Sequence, residues 1–490
     1  MKKTRFLAAF LAALTMLSAL AACSTPEDPE DTDDAIATSD ETEDPALRDE
    51  LPGNLNYSGD EIVFITSDQL GAEKVTGDPV SDVLFERNKA VEQRLNIKIT
   101  CIEDGSAVDK MVTAVNSNSG DYDILVDKCW TTAPKFTEGY FSDLRQTDFL
   151  DFEKPWWNQS FNDVVSYNDK QFGVTGAMVL SLYRRTYTTV FNKPLFKNAN
   201  QTFLYDYVDD GSWTLDKQIS LVPLFHQDNG NQTADMSGDI YGFVSNDFIS
   251  VDPYWAACEV DIIKKNSHGE YEWVFDTNKM YDMAEKVLAL YYETDGGAYI
   301  ETDDFAAEET VQTMFSNGYA AMATMAIQSL ETPSMRDMPQ EYGVVPIPKY
   351  SQEQTTYRSQ MHDGFTIVCV PTTVQGARLN EMSAVLEAMA SSSYKLVRPV
   401  YYETTLRTKI AQDPQSSAMM DLIINNIHID AGFVYSHSMQ VNNQGFHQSF
   451  QQLVAGKTND TASRFKRATT VAQKGLRELN TKLDNLTSKQ

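Results

Sequence analysis

The 490-residue chain carries few constellations able to break or make bonds. The six histidines (226, 268, 362, 428, 437 and 447) show neither HExxH spacing nor clustering with cysteine, so no metal site is expected, and no GxSxG nucleophile motif is present. Ala455-Gly456-Lys457-Thr458 has the end of a phosphate-binding loop, but the position five residues before Gly456 is Gln451 where that loop needs glycine. No cofactor is expected. What remains are side chains suited to reversible recognition. Trp130 and the pair Tyr254-Trp255, the latter in a stretch after Val251-Asp252-Pro253 that reads as a loop, offer flat apolar rings that can cover the C–H face of a small molecule. Asp68, Asp127, Gln328, His362 and Asp363 offer the paired acceptors and donors that adjacent hydroxyls require. Tyr183-Arg184-Arg185 is a local basic pair able to clamp a carboxylate or sulfate. Binding rather than catalysis is the expectation, so the chain is not read as an enzyme.

One further residue carries chemistry of another kind. Lys2, Lys3 and Arg5 precede an apolar run, Phe6 to Leu20, which is short for a bilayer span and ends on Leu20-Ala21-Ala22-Cys23. This ending resembles the lipobox of bacterial lipoproteins, in which cleavage leaves the cysteine first and its thiolate takes diacylglycerol. From Ser24 to Glu50 there are twelve Asp or Glu against one basic residue, Arg48, with almost nothing apolar to bury. Such a segment stays extended and reads as a tether, so residues 1–22 are expected to be a lipoprotein signal and 23–56 an acidic disordered linker.

Loss of the signal takes three positive charges and no negative ones, moving the net charge from −30 to −33. A nucleic-acid role is disfavoured, because neutralising phosphates needs clustered Lys and Arg. Roughly 435 residues follow the tether, enough for two lobes. Cys101, Cys129, Cys258 and Cys369 lack framework spacing and are expected to be buried thiols rather than disulfides.

The elements that must position the recognition residues are legible in the first third. Glu61 to Thr66 alternates as a strand, Val80 to Leu95 has a helical apolar stripe, and Ile97 to Ile102 is a second strand. Val108 to Val115 is a second amphipathic helix, leading to a strand at Tyr122 to Val126. Strands alternating with helices imply a parallel α/β sheet, whose ligands gather beyond the strands' carboxyl ends, here Ser67-Asp68 and Asp127 to Trp130.

Gly120-Asp121-Tyr122-Asp123-Ile124, Gly139-Tyr140-Phe141-Ser142-Asp143-Leu144, Lys170-Gln171-Phe172-Gly173-Val174 and Val190-Phe191-Asn192-Lys193-Pro194-Leu195-Phe196 follow one another along the chain. Gly211 to Asp216, Gly238 to Gly242, Phe315 to Met322 and Tyr342 to Lys349 continue the succession. In order and spacing it resembles the extracellular solute-binding proteins of ABC importers, in the carbohydrate-type group that includes maltose-binding protein. The resemblance implies a two-lobed, type II periplasmic-binding-protein fold with multiple hinge crossovers, Val174 to Leu182 being the first and Tyr342 to Lys349 the second. It implies a first lobe of residues 57–175 plus 350–398 and a second of 176–349 plus 399–490, the first completed by a strand at Phe365 to Val370 and a helix at Ala377 to Ser391. It also implies a monomeric, lipid-anchored receptor on the extracytoplasmic face of the cell membrane, closing on a small solute, a sugar or oligosaccharide, and delivering it to a permease. A surface glycan-binding lipoprotein or a glycan-active enzyme are the alternatives. Trp156-Trp157 is a recurrent feature of the resemblance and reads as packing between lobes. After Ala321-Met322 many sugar binders have glycine and tryptophan, whereas this chain continues Ala323-Thr324-Met325.

Overall fold

The computed structural model describes residues 47–488, except 72–73, 232–235, 237, 303–306, 408–413 and 459. The signal, Cys23 and most of the tether lie outside the described residues. Eleven strands are described: β1 (Asp60–Thr66), β2 (Ile97–Glu103), β3 (Ile124–Lys128), β4 (Tyr187–Asn192), β5 (Tyr241–Asn246), β6 (Ile263–Lys265), β7 (Tyr271–Trp273), β8 (Ala298–Glu301), β9 (Ala320–Ala326), β10 (Tyr342–Val345) and β11 (Thr366–Cys369). They form two main sheets and the small β6–β7 hairpin.

The first sheet has the order β11-β3-β1-β2, with β1 parallel to both its neighbours and β11 antiparallel to β3. Its alternation buries Ile62 and Phe64 on one face with Val126, Trp156 and Val368, and Ile65 on the other with Leu125 and Met111. The helix Pro79–Leu95 follows β1, started by Asp78, whose carboxylate accepts from Ser81 N at 2.8 Å, and by proline in the first turn. It buries Val80, Val83, Leu84, Val91 and Leu95, the stripe read from the sequence. Arg87 of this helix is fully buried and donates to the Leu70 and Met178 carbonyls, Ser393 Oγ and Asn88 Oδ1, tying the helix to three distant segments.

The second sheet has the order β10-β4-β9-β5-β8 and is mixed. The chain leaves the first sheet through the short helix Ser181–Arg184, enters β4, and returns along 359–366. Outgoing and returning segments run side by side. Thr186 bridges Met361, Tyr187 N donates to Gln360 O at 3.0 Å, and His362 N donates to Arg185 O at 2.9 Å. The second crossing is therefore not at Tyr342 to Lys349. Tyr342–Val345 is the edge strand β10, and the following prolines stay against the second sheet, where Trp213 Nε1 donates to Pro346 O at 2.8 Å.

Trp156 and Trp157 are likewise corrected. Both are buried within the first sheet's core and donate their indole N–H groups to the two oxygens of Glu387, at 3.1 and 2.9 Å. The four described cysteines are free thiols, three buried and Cys101 half-buried. The C-terminal helix Thr461–Thr487 packs on the helix Thr277–Tyr292, on the first lobe's turn Ala133–Glu138, and on the turn Ser436–Met439. That last approach requires glycine at 475, because a Cβ there would lie 2.9 Å from Met439 Cα.

Candidate functional site

At the carboxyl end of β3 the chain turns directly into the short helix Cys129–Thr132. The returning segment fixes this turn, since Cys129 N donates to Phe365 O at 2.8 Å and Trp130 N to Asp363 O at 3.3 Å. Its side chains diverge. Cys129 is buried, whereas the Trp130 ring is 40% exposed and leans on His437, with centroids 5.6 Å apart and planes tilted by 44°. A large aromatic held by its backbone yet left open is the form a binding platform takes.

Asp363 lies on the returning segment beside this ring. Its Oδ2 is 3.6 Å from His447 Nε2 and 3.7 Å from His437 Nε2, and its Oδ1 is 3.3 Å from His362 Nδ1. His362 Nδ1 accepts the Gly364 N–H at 2.9 Å, which leaves the ring proton on Nε2. Ser436 Oγ accepts the His447 N–H at 3.1 Å and lies 2.8 Å from His447 Nδ1. With the ring proton on Nε2, on the side of the Asp363 carboxylate, Nδ1 is the acceptor for the Ser436 hydroxyl. Burial alone would raise the Asp363 pKa. The approach of His437 and the interaction with the His362 and His447 imidazoles outweigh it and hold the group at about 2, so it is a carboxylate at neutral pH.

Beneath it, Asp252 is buried and accepts both bonds from Gln451 Nε2, at 2.9 and 3.1 Å. Burial and the neighbouring Asp363 charge push its pKa well above its ordinary value, with the Gln451 amide opposing the shift. The Tyr187 hydroxyl, at the start of β4, is buried and makes no hydrogen bond among the described residues. The arrangement brings together a platform, an ionised acceptor and imidazole donors, contributed by β3, the returning segment and the C-terminal region. Such groups hold hydroxyls and stack on a ring face.

The other candidates are distributed differently. Asp68, half-buried after β1, turns its carboxylate onto its own neighbour, Gln69 N, at 2.9 Å, and its charge reaches Arg184. Gln328 is half-buried in the turn Ile327–Glu331 that follows β9. Asp127 is buried and accepts from Val108 N at 3.0 Å and Lys128 N at 2.8 Å, so it holds the start of a helix rather than a solute. Tyr254 and Trp255 are 0% and 2% exposed. The expected loop is the helix Pro253–Ala257, and Trp255 is enclosed by Phe275, Phe446, Phe450 and Phe465. Tyr183 is buried against Tyr401 and Tyr402. Arg184 pairs with Glu331 at 2.9 Å, which in turn accepts from Tyr401 Oη at 2.7 Å, so its charge is spent internally. His437, His447 and Gln451 were not anticipated: His437 lies on the turn Ser436–Met439, while His447 caps the helix Gln448–Ala455 that carries Gln451.

Two sheets joined by adjacent crossing segments, with this cluster at the crossing, define a two-lobed binding protein of type II. Residues 83–369, more than half of the chain, match the family described as bacterial extracellular solute-binding protein. The chain belongs to that family, the solute receptors of ABC transporters. No characterised protein sequence matches it closely. Among solved structures it is similar to the GacH receptor of Streptomyces glaucescens, described unliganded and with acarbose, at 15% identity and a TM-score of 0.55, covering 86% of this chain and 99% of that one. It is similar to the cyclic alpha-maltosyl-1,6-maltose binding protein of Arthrobacter globiformis at 12% identity and a TM-score of 0.58, covering 86% and 100%. UgpB of Mycobacterium tuberculosis, in complex with glycerophosphocholine, matches at 13% identity and a TM-score of 0.55, covering 86% and 99%. No helix among the described residues is long and apolar enough to cross a membrane.

Proposed function

We propose that this chain is the lipid-anchored receptor of a sugar or oligosaccharide importer, held at the membrane through Cys23 and the acidic tether. The observation that carries the sugar reading is the exposed Trp130 ring set beside the ionised Asp363. The ring covers the apolar face of a pyranose, and the carboxylate accepts from two adjacent hydroxyls. His362, His437 and Gln328 supply further polar contacts, with Asp68 at the edge. The solute-bearing groups sit at the crossing, so rotation of the lobes about 181–187 and 359–366 closes the cleft over the solute. Packing of the helix Arg398–Arg407 on the helix Pro79–Leu95 supports a first lobe made of residues 57–175 and about 365 to 407. The protein acts as a monomer and hands its solute to the permease without catalysis. A thermal-shift screen of neutral, acidic and oligomeric sugars tests this, because a solute binding only the folded state raises the melting temperature by mass action. Stabilisation by peptides or amino acids and by no sugar would refute the sugar reading.

A further inference from the structure

Arg185 stands apart from the chain's other partly buried arginines. Arg184 pairs with Glu331, Arg358 with Asp261, Arg378 with Asp123 and Glu381, and Arg464 with Asp460, while Arg398 stacks on Tyr394 and Tyr402. Arg185 is half-buried and makes no side-chain hydrogen bond, ion pair or ring contact with any described residue. In a chain with 70 acidic against 40 basic residues, such an arginine is out of keeping. Partly desolvating a guanidinium without a partner is costly, and its five donors in a planar fork match the oxygens of a carboxylate, sulfate or phosphate.

Its place is the site already described. The Arg185 carbonyl accepts the His362 N–H at 2.9 Å, and its charge acts on both the His362 ring and the Tyr187 hydroxyl. The carboxylates whose charge reaches the same two groups are Asp363, Asp252 and Glu308. Asp363 is engaged by histidines, Asp252 by Gln451, and Glu308 is exposed on the helix Ala307–Ser316 without pairing to Arg185. Among the described residues, the guanidinium is thus an uncommitted cation on the segment paired with His362, the residue next to the hydroxyl acceptor Asp363. Without such a cation, the field of so acidic a protein would repel an anionic solute.

We infer that the solute is an acidic sugar, a glycan bearing a carboxylate, sulfate or phosphate ester, whose oxyanion is received by Arg185 while its hydroxyls are held at Asp363. This rests on the reading of the Trp130 and Asp363 cluster as the solute site. The oxyanion sources differ only in the group attached to the sugar, so the test has one arm for each.

Calorimetric titration of the purified mature protein with trigalacturonate, a sulfated disaccharide, glucose 6-phosphate and neutral maltotriose tests the inference. At least one acidic probe is expected to bind the parent more tightly than maltotriose. Arg185→Gln is expected to weaken that probe about tenfold or more while leaving any maltotriose binding unchanged. Should Arg185→Gln not fold, Arg185→Lys carries the comparison, with a several-fold loss because a point charge cannot reproduce the fork. Preference of the parent for maltotriose, or acidic binding indifferent to Arg185, overturns the inference and leaves the sugar reading standing. Failure of all four probes, together with a thermal screen in which no sugar stabilises the protein, removes both.

Discussion

Acid should unlock the segment that carries His447, because the imidazole is buried in its neutral form. The side chain is 1% exposed, and burial pulls its pKa from the ordinary 6.5 down to about 4, with Asp363 opposing the shift and His437 and His362 adding to it. Between pH 6.5 and 4 the unfolded chain therefore holds a proton here that the folded chain does not. Stability falls as pH falls through that window, and the loss is complete below the folded value. At 1.36 kcal/mol per pH unit, a displacement of this size corresponds to about 3 kcal/mol. His447→Gln removes the titration while imitating the neutral ring, its amide oxygen accepting from Ser436 and its amide N–H facing Asp363. Urea unfolding of parent and variant at intervals from pH 7 to pH 4 is the assay. The parent is expected to lose about 3 kcal/mol more than the variant over this range, with the two within about 1 to 2 kcal/mol of one another at pH 7. Unfolding curves that stay parallel at every pH would refute the reasoning, since His447 would then carry no buried-neutral penalty.

Other perturbations address the anchor and the first-lobe core. Cys23→Ser is expected to move the protein from the membrane fraction to the soluble fraction with its melting temperature unchanged, and continued sedimentation with membranes would count against lipidation. Glu387→Gln places an amide N–H₂ where a side-chain oxygen of Glu387, whose pKa burial pushes up to about 8, accepted an indole N–H, and is expected to cost about 1 to 3 kcal/mol in denaturant unfolding. An unchanged midpoint would mean that the two tryptophans do not depend on that side chain.

Much of the first lobe was legible because its signals are local. The alternation of Ile62, Phe64 and Ile65, the stripe through Val83, Leu84 and Val91, and the strand beginning at Ile97 each give the right element within one or two residues. The second crossing was misplaced because Val345-Pro346-Ile347-Pro348 reads as the end of an element, and it ends β10 without leaving the lobe. Asp252-Pro253 read as a loop, although proline in a first turn starts the helix that buries Tyr254 and Trp255. Trp130 and Asp363 could be picked out as polar or aromatic groups near strand ends. Their grouping with His437 and His447 could not, because it depends on how the C-terminal turn packs against the returning segment. Nor did sequence separate Arg184 from Arg185, since only the fold decides which of two adjacent arginines meets Glu331.

The most direct test of a solute site at the crossing is calorimetric titration of Trp130→Ala with the sugar that most raises the parent's melting temperature. Because the ring is 40% exposed in the free protein, its removal is expected to cost less stability than the about 3 to 5 kcal/mol of a core tryptophan. Affinity is expected to fall by roughly thirtyfold or more, the loss of about 2 kcal/mol typical of a buried aromatic anchor. Undiminished affinity in a variant that melts far below the parent would contradict the account, making Trp130 a packing residue and placing the solute elsewhere.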